Sequence, residues 1–323
     1  MRHATSGAAL LDPAVLASID SLELLARGVV EGFLAGLHRA PHLGTSLDFA
    51  EHRAYEPGDD VRRVDWRLYG RTDRHYVRLY EAETNADFTL LVDVSRSMDF
   101  RGAPDRLTKF DYARFLAASL AYLASTQRDR VGLTTFAGEV VESIPPAARH
   151  RDFVLRALER AEPAEGGGLA NAAEWLGGSL KRRGLVGVVG DFYEPPDVTE
   201  RAFAALRGRG HDVIAFHVLD PWERSLPRME ATLFEDLETG RRMPVDPVEA
   251  GERFRARVDE HLRAVAAALL ALRVDHVLLD TATPLSVALA RFLAHRRVAL
   301  RTRRASGRAA FAGARRGAHA RGG

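Results

Sequence analysis

The stretch Phe88-Thr-Leu-Leu-Val92-Asp93-Val94-Ser95-Arg96-Ser97 decides how the rest of the chain is interpreted. Its first five residues form an apolar and β-branched run, which is typical of a strand buried on both faces of a parallel sheet. An aspartate and two serines follow at alternate positions where that strand should end. Ligands of open α/β sheets bind at the carboxyl ends of the strands. The stretch therefore predicts a functional loop at this edge of a sheet.

Strand-like and helix-like segments alternate along the chain around this loop. The runs typical of strands are residues 76–80, 88–92, 131–136, 185–189, 212–219 and 274–279. Helical spacing of apolar residues occurs at about 11–37, 110–123, 152–161, 170–182, 197–208, 249–272 and 284–295. This alternation predicts an α/β fold with a mostly parallel sheet and helices on both faces. Residues 230–247 have the pattern of a hairpin turned at Thr239-Gly240, which we expect at an edge of the sheet.

The composition excludes several classes of protein. The chain has 323 residues, 46% of them hydrophobic and 28% charged, as in an ordinary globular protein with a sizeable core. It contains no cysteine, which excludes disulfides, thiolate metal sites and cysteine nucleophiles. No stretch approaches the roughly 20 apolar residues of a membrane helix, and acidic residues interrupt the first 30 positions. We therefore expect a cytoplasmic protein.

The charge is unevenly distributed. Residues 296–323 contain nine arginines and no acidic residue, so the formal net charge of +2 leaves 2 − 9 = −7 on the remainder. A segment with so little apolar surface is predicted to be a disordered, solvated tail. The alternative is that it binds nucleic acid or anionic lipid through a sequence-independent release of counterions.

The loop after residue 92 offers oxygen ligands for a metal ion. Asp93, Ser95 and Ser97 supply one carboxylate and two hydroxyls, and Mg²⁺ prefers hard oxygen ligands and keeps open positions for further ones. Asp191 follows the strand-like run 185–190 at the equivalent point, so two strand ends would meet at one site. The alternative is a structural one, in which the loop only caps the next helix.

A second candidate surface lies ahead of this loop, in a turn crowded with charges. Its candidate partner-binding residues are Arg53, Tyr55, Asp59, Asp60, Asp65 and Trp66. The alternative is an ion-pair network that fixes the N-terminal region, with Tyr55 and Trp66 packed beneath it. Neither interpretation requires catalysis.

The motifs of common enzymes are missing from the chain. An aspartyl-phosphate phosphatase needs an acid two positions after its nucleophile, where this chain has Ser95. The chain contains no Gly-x-Ser-x-Gly elbow, no Gly-x4-Gly-Lys-Ser/Thr phosphate loop and no His-Glu-x-x-His. We therefore expect a protein that is not an enzyme and that leaves any nucleotide hydrolysis to a partner.

These residues carry a resemblance to a known family. The loop with Asp191 resembles the metal-ion-dependent adhesion site of von Willebrand factor A-like domains. The run from Arg53-Ala-Tyr55 to Asp65-Trp66 resembles the signature of a bacterial family, domain of unknown function 58, and the likeness extends over about residues 11–295. It implies a von Willebrand factor A-like (Rossmann-like) fold. It also implies a cytoplasmic protein that works with a MoxR-type AAA+ ATPase in chaperone-like maturation of other proteins.

Two departures from the family pattern bear on the metal. The position of a threonine ligand falls near Gly167, and no hydroxyl lies between Gly166 and Ala173. Gly190 stands before Asp191, where the family has serine. The resemblance thus implies Mg²⁺ at Asp93, Ser95, Ser97 and Asp191, with an affinity weakened by the lost ligand.

Together these observations predict three regions and one function. The regions are an N-terminal helical and irregular part (1–86), a von Willebrand factor A-like domain (87–295) and the basic tail (296–323). The predicted function is that of a non-catalytic adaptor that binds a protein partner through the Asp93 loop. The alternative is a metal-dependent hydrolase that uses the same aspartates and serines.

Overall fold

The computed structural model describes residues 21–39, 49–55, 64–80, 86–227 and 229–295. The basic tail, Asp59 and Asp60 lie outside these ranges. Within them, no helix has both the length and the apolar character that a membrane span requires.

The elements follow one another along the chain with short connections. The strands are β1 (Phe49–Ala54), β2 (Tyr76–Tyr80), β3 (Asp87–Asp93), β4 (Arg130–Ala137), β5 (Glu139–Ala147), β6 (Leu185–Gly190), β7 (Asp212–Leu219), β8 (Thr232–Glu235), β9 (Arg242–Val245) and β10 (Asp275–Asp280). The helices are α1 (Leu22–Arg39), α2 (Trp66–Thr72), α3 (Lys109–Thr126), α4 (Arg151–Arg160), α5 (Leu169–Ser179), α6 (Pro196–Gly208), α7 (Pro221–Arg224), α8 (Pro247–Ala271) and α9 (285–295). A 3₁₀ turn spans Arg96–Asp99.

Six strands form the central sheet, in the order β10-β7-β6-β3-β4-β5. All neighbouring pairs are parallel except β4 and β5, which are antiparallel. Strand β3 lies between β4 and β6, and each of its seven residues is buried. This arrangement confirms the predicted α/β class with its mostly parallel sheet.

Helices cover both faces of the sheet, as predicted. On one face, α1, α3, α4 and α9 pack into a core that includes Leu25, Leu116, Leu155, Leu289 and Phe88. On the other face, α5, α6 and α8 contribute to a second cluster that includes Leu176, Phe203 and Leu269. The amphipathic helix α1 thus belongs to the main core, where its Leu25 and Val29 are fully buried.

Two strand regions differ from the sequence prediction. Strand β5 was not predicted, because Pro145 and Pro146 lie inside it; prolines are tolerated on an edge strand. The predicted hairpin is present as β8 and β9, with Gly240 at a φ of +66° near its tip. Its expected position at a sheet edge is wrong, because β8 and β9 form a separate two-stranded sheet.

Candidate functional site

The Asp93 loop is a tight turn that gathers its own polar atoms. The Ser95 N–H donates to Asp93 Oδ1 at 2.8 Å, and the hydroxyls of Ser95 and Ser97 are 3.0 Å apart. Asp93 and Ser95 are buried, whereas Ser97 is half-buried. The three oxygen-bearing side chains therefore converge at the carboxyl end of β3.

Asp191 joins this loop from the neighbouring strand. Strands β3 and β6 are parallel neighbours, so their carboxyl ends lie at the same edge of the sheet. The Ser97 hydroxyl donates to Asp191 Oδ2 at 2.9 Å. The structure thus brings together all four residues that the sequence predicted at this site.

A buried lysine completes the site and was missed by the sequence analysis. Lys109 opens α3 directly after its N-cap, and it has no exposed surface. Its Nζ donates to Asp191 Oδ2 at 2.8 Å and to Glu223 Oε1 at 2.7 Å. It also lies 4.9 Å from the centre of the Tyr193 ring. Lysine is almost never fully buried unless it is paired, and no spacing in the sequence indicates such a pairing.

The lysine gives the two aspartates opposite electrostatic environments. Burial and the nearby Asp191 raise the pKa of Asp93 to about 7. Burial alone would also raise the pKa of Asp191, but the charge and hydrogen bond of Lys109, with a further bond from Ser97, lower it. Asp191 therefore stays ionised, while Asp93 exchanges a proton near neutral pH.

The donor set, as arranged, does not fit a divalent ion. Oxygen ligands of this type suit Mg²⁺, which binds at about 2.1 Å. However, Asp191 Oδ2 already accepts hydrogen bonds from the Lys109 ammonium and the Ser97 hydroxyl. Among the residues that the structure describes, no three His, Cys, Asp or Glu side chains are grouped as metal ligands. A divalent ion on Asp191 would face an ammonium at close range.

A carboxylate from the β8–β9 hairpin lies on this site. Glu238, at the hairpin tip, accepts a hydrogen bond from the Ser97 N–H at 2.7 Å through Oε1. Its Oε2 accepts one from the Gly166 N–H at 3.2 Å. Gly166 has a φ of +96°, a conformation that favours glycine. Two loops thus present backbone N–H groups to one carboxylate, a contact that the distance along the chain hides from sequence analysis.

Another carboxylate occupies the loop where a threonine was expected. Glu194 Oε1 accepts from the N–H groups of Gly168 at 2.7 Å and Leu169 at 3.0 Å, at the start of α5. A Cβ on Gly167 would lie 3.1 Å from this oxygen. At the position of the missing threonine hydroxyl, the start of α5 is therefore capped by the Glu194 side chain, which comes from another loop.

The N-terminal candidate surface is partly described. Asp65 is buried, and its Oδ1 accepts from the Leu68 N–H at 3.1 Å at the start of α2. Trp66 is 60% exposed and contacts the rings of Tyr69 and His75 edge-on. The interpretation that packed Trp66 beneath an ion-pair network is therefore wrong, because the indole lies on the surface.

The remaining candidates of this surface belong to or follow β1. Arg53 pairs with Val77 of β2 through the backbone, and the Tyr55 N–H donates to the His75 carbonyl at 2.9 Å. Asp59 and Asp60 lie outside the described residues. The sheet formed by β1 and β2 thus holds Tyr55 next to His75, whose ring contacts Trp66.

Comparison with known proteins identifies related sequences and folds. The family model described as "Protein of unknown function DUF58" matches residues 51–267. An uncharacterized protein of Mycobacterium tuberculosis is 33% identical over 277 residues, which are 82% of this chain and 86% of that protein. BatB from Bacteroides thetaiotaomicron, a solved structure, shares 17% identity over 66% of this chain and 99% of its own, with a TM-score of 0.46. The SpRpn10 VWA domain shares 10% identity over 63% and 93% of the two chains, with a TM-score of 0.40.

Proposed function

The chain belongs to the DUF58 family of proteins of unknown function, and we propose that it is a non-catalytic adaptor that binds an acidic segment of a protein partner. The binding face consists of the Asp93 loop and the glycine loop at residues 166–168. One observation carries this proposal: the face already holds a carboxylate, that of Glu238.

The geometry of that contact explains why an acidic side chain is the proposed ligand. The N–H groups of Ser97 and Gly166 come from different loops and converge on the two oxygens of one carboxylate. Hydrogen bonds to an ionised acceptor are roughly twice as strong as neutral ones. An aspartate or glutamate of a partner would accept the same two bonds once the hairpin tip has moved away.

A MoxR-type AAA+ ATPase is the partner that we propose. The family resemblance implies this pairing, and the sequence has no phosphate-binding loop of its own. The ATPase would then hydrolyse the nucleotide, whereas this chain would bind the client or partner protein.

The alternative of a metal-dependent hydrolase finds less support in the site. Asp93 is 7% exposed and Asp191 is 3% exposed, and each accepts at least one hydrogen bond within the protein. Neither carboxylate is free to meet a phosphate or ester. Turnover of such a substrate by the purified protein with Mg²⁺ or Mn²⁺, abolished by Asp93→Ala, would establish the alternative.

Competition between Glu238 and the partner provides the test. Glu238→Ala removes the internal carboxylate, so we expect the affinity for the purified ATPase to rise about tenfold, or ~1.4 kcal/mol. Glu235→Ala is the matched control, because Glu235 lies on the same hairpin and pairs with Arg242 at 2.8 Å away from the site. Biolayer interferometry with the immobilised chain gives both affinities.

The same measurement can refute the proposal. If the two hairpin variants and the wild type bind the ATPase equally, the Asp93 face is not the docking surface. If Trp66→Ala instead abolishes binding, the exposed indole and its neighbours carry the contact. Failure of all forms to bind any MoxR-type ATPase contradicts the choice of partner.

A further inference from the structure

Lys109 puts a positive charge against Asp191, one of the residues that the sequence predicted to bind a divalent ion. Its side chain is fully buried, and Asp191 and Glu223 accept hydrogen bonds from it at 2.8 Å and 2.7 Å. We infer that the Lys109 ammonium takes the place of the divalent ion that the Asp-x-Ser-x-Ser pattern implies, so that the site is built to work without metal. This inference concerns the isolated chain and stands whether or not the proposed partner binds.

The surroundings of the ammonium satisfy it fully. An ammonium has three N–H donors and no acceptor. Two carboxylates take up two of these donors, and the face of the Tyr193 ring lies 4.9 Å away, a distance typical of a cation–π contact.

The lysine is held from both of its ends. Its backbone begins α3, where the Thr108 side chain accepts from the Asp111 N–H at 3.0 Å. Glu223, on the other side, accepts the Asp220 N–H at 2.8 Å as part of a capping box that starts α7. Swinging the ammonium away to admit a metal ion would leave Glu223 half-buried without its cation. Removing one partner of such an ion pair is destabilising, because it leaves the other charge without its counter-charge.

In this site, backbone N–H groups bind the acidic ligand that a metal ion would otherwise bind. The Glu238 carboxylate is held by the N–H groups of Ser97 and Gly166. Lys109 meanwhile neutralises Asp191, which would otherwise repel an incoming carboxylate. An acidic ligand can therefore be received on amides, while Lys109 offsets part of the negative charge of the buried carboxylates.

Lys109→Met provides the test, with metal binding to the purified chain as the measurement. Calorimetric titration and thermal unfolding at pH 7.5 compare EDTA with millimolar Mg²⁺ or Mn²⁺. We expect the wild type and Lys181→Met, an exposed lysine control, to show no binding and no shift. Lys109→Met should lose stability in EDTA, because Asp191 is left unpaired, and should regain several degrees with Mg²⁺. The double variant Lys109→Met/Asp191→Asn should fold without responding to the ion.

The opposite results would overturn the inference. Saturable Mg²⁺ binding to the wild type, lost in Asp93→Asn, would show that ion and ammonium coexist. A folded Lys109→Met variant that ignores both metals would show that Lys109 replaces no ion. If this variant does not fold in either buffer, the wild-type titration decides alone. None of these outcomes depends on the ATPase, so they are separable from a failure of the proposed adaptor role.

Discussion

Asp93 and Asp191 end neighbouring parallel strands in the same buried site, yet only Asp191 accepts a hydrogen bond from an ammonium. As a consequence, Asp191 stays ionised, whereas Asp93 titrates near neutral pH. Like charges buried together are costly unless one of them is neutralised. Lys109 neutralises Asp191, and a proton neutralises Asp93.

Asp93→Asn should stabilise the chain at alkaline pH. Because the pKa of Asp93 is raised to about 7 in the folded protein, the folded state binds more protons than the unfolded state between about pH 4 and 7. The stability associated with the protonated carboxyl is therefore lost as the pH rises through 7. Asparagine keeps an acceptor for the Ser95 N–H without the charge. We therefore expect the advantage of Asp93→Asn over the wild type to be about 2–3 kcal/mol larger at pH 8 than at pH 5, because the stability of the wild type falls between these two values.

Urea unfolding in EDTA at both pH values measures this effect. Asp105→Asn, which changes an exposed carboxylate, should leave the free energy of unfolding unchanged at either pH. A less stable Asp93→Asn variant at pH 8 would mean that the charge of Asp93 is satisfied in the folded protein.

One half of the site could be predicted from the sequence. Asp93, Ser95 and Ser97 follow a buried strand, and Asp191 follows the adjacent one, so strand order alone brings them together. Residues whose contacts depend on the path of a hairpin or the start of a helix could not be found in this way. Glu238, 141 positions from Ser97, and Lys109, 82 positions from Asp191, are of that kind.

Among the secondary-structure elements, the local sequence pattern predicted strands that are buried on both faces. It did not predict a strand whose conformation depends on the strand with which it pairs. Strand β7 was predicted with its observed bounds, Asp212–Leu219, because a continuous apolar run of this length suits a strand covered on both faces. Strand β5 alternates between exposed and half-buried residues and contains two prolines. Its strand conformation depends on pairing with β4, which no pattern within residues 139–147 reveals.

The β4–β5 pairing itself requires a glycine. A Cβ on Gly132 would lie 2.8 Å from the Ile144 carbonyl oxygen and 2.8 Å from the Pro146 nitrogen. These are backbone atoms of β5, so the edge strand would have to move. We expect Gly132→Ala to destabilise the protein by about 1–3 kcal/mol, measured by urea unfolding.

A glycine in open surroundings provides the control for that change. Gly251 lies inside α8 and has nothing within 4 Å of an added Cβ. Gly251→Ala should stabilise the helix by roughly 0.8–1.0 kcal/mol. Equal effects of the two substitutions would mean that β5 adjusts freely and that the close approach at Gly132 has no structural role.

At the scale of the whole molecule, one edge of the sheet collects contributions from distant parts of the chain. The Asp93 loop, the glycine loop, the start of α3, the short helix α7 and the hairpin tip all meet there. The central sheet fixes the Asp93 loop, which follows β3, whereas the hairpin forms a separate two-stranded sheet. The proposed exchange of Glu238 for a partner's acid would require this hairpin to move, and none of the strand pairs of the central sheet involves it.

Hydrogen–deuterium exchange at the Ser97 and Gly166 amides is the most direct test of whether a partner's acid replaces Glu238. Both amides should exchange slowly in the wild type and in Glu235→Ala, because Glu238 accepts their hydrogens. They should exchange faster in Glu238→Ala, and slowly again when this variant is saturated with the purified ATPase. If the ATPase binds Glu238→Ala while both amides remain fast, the partner does not place a carboxylate on these amides, which contradicts the proposed docking on the Asp93 face.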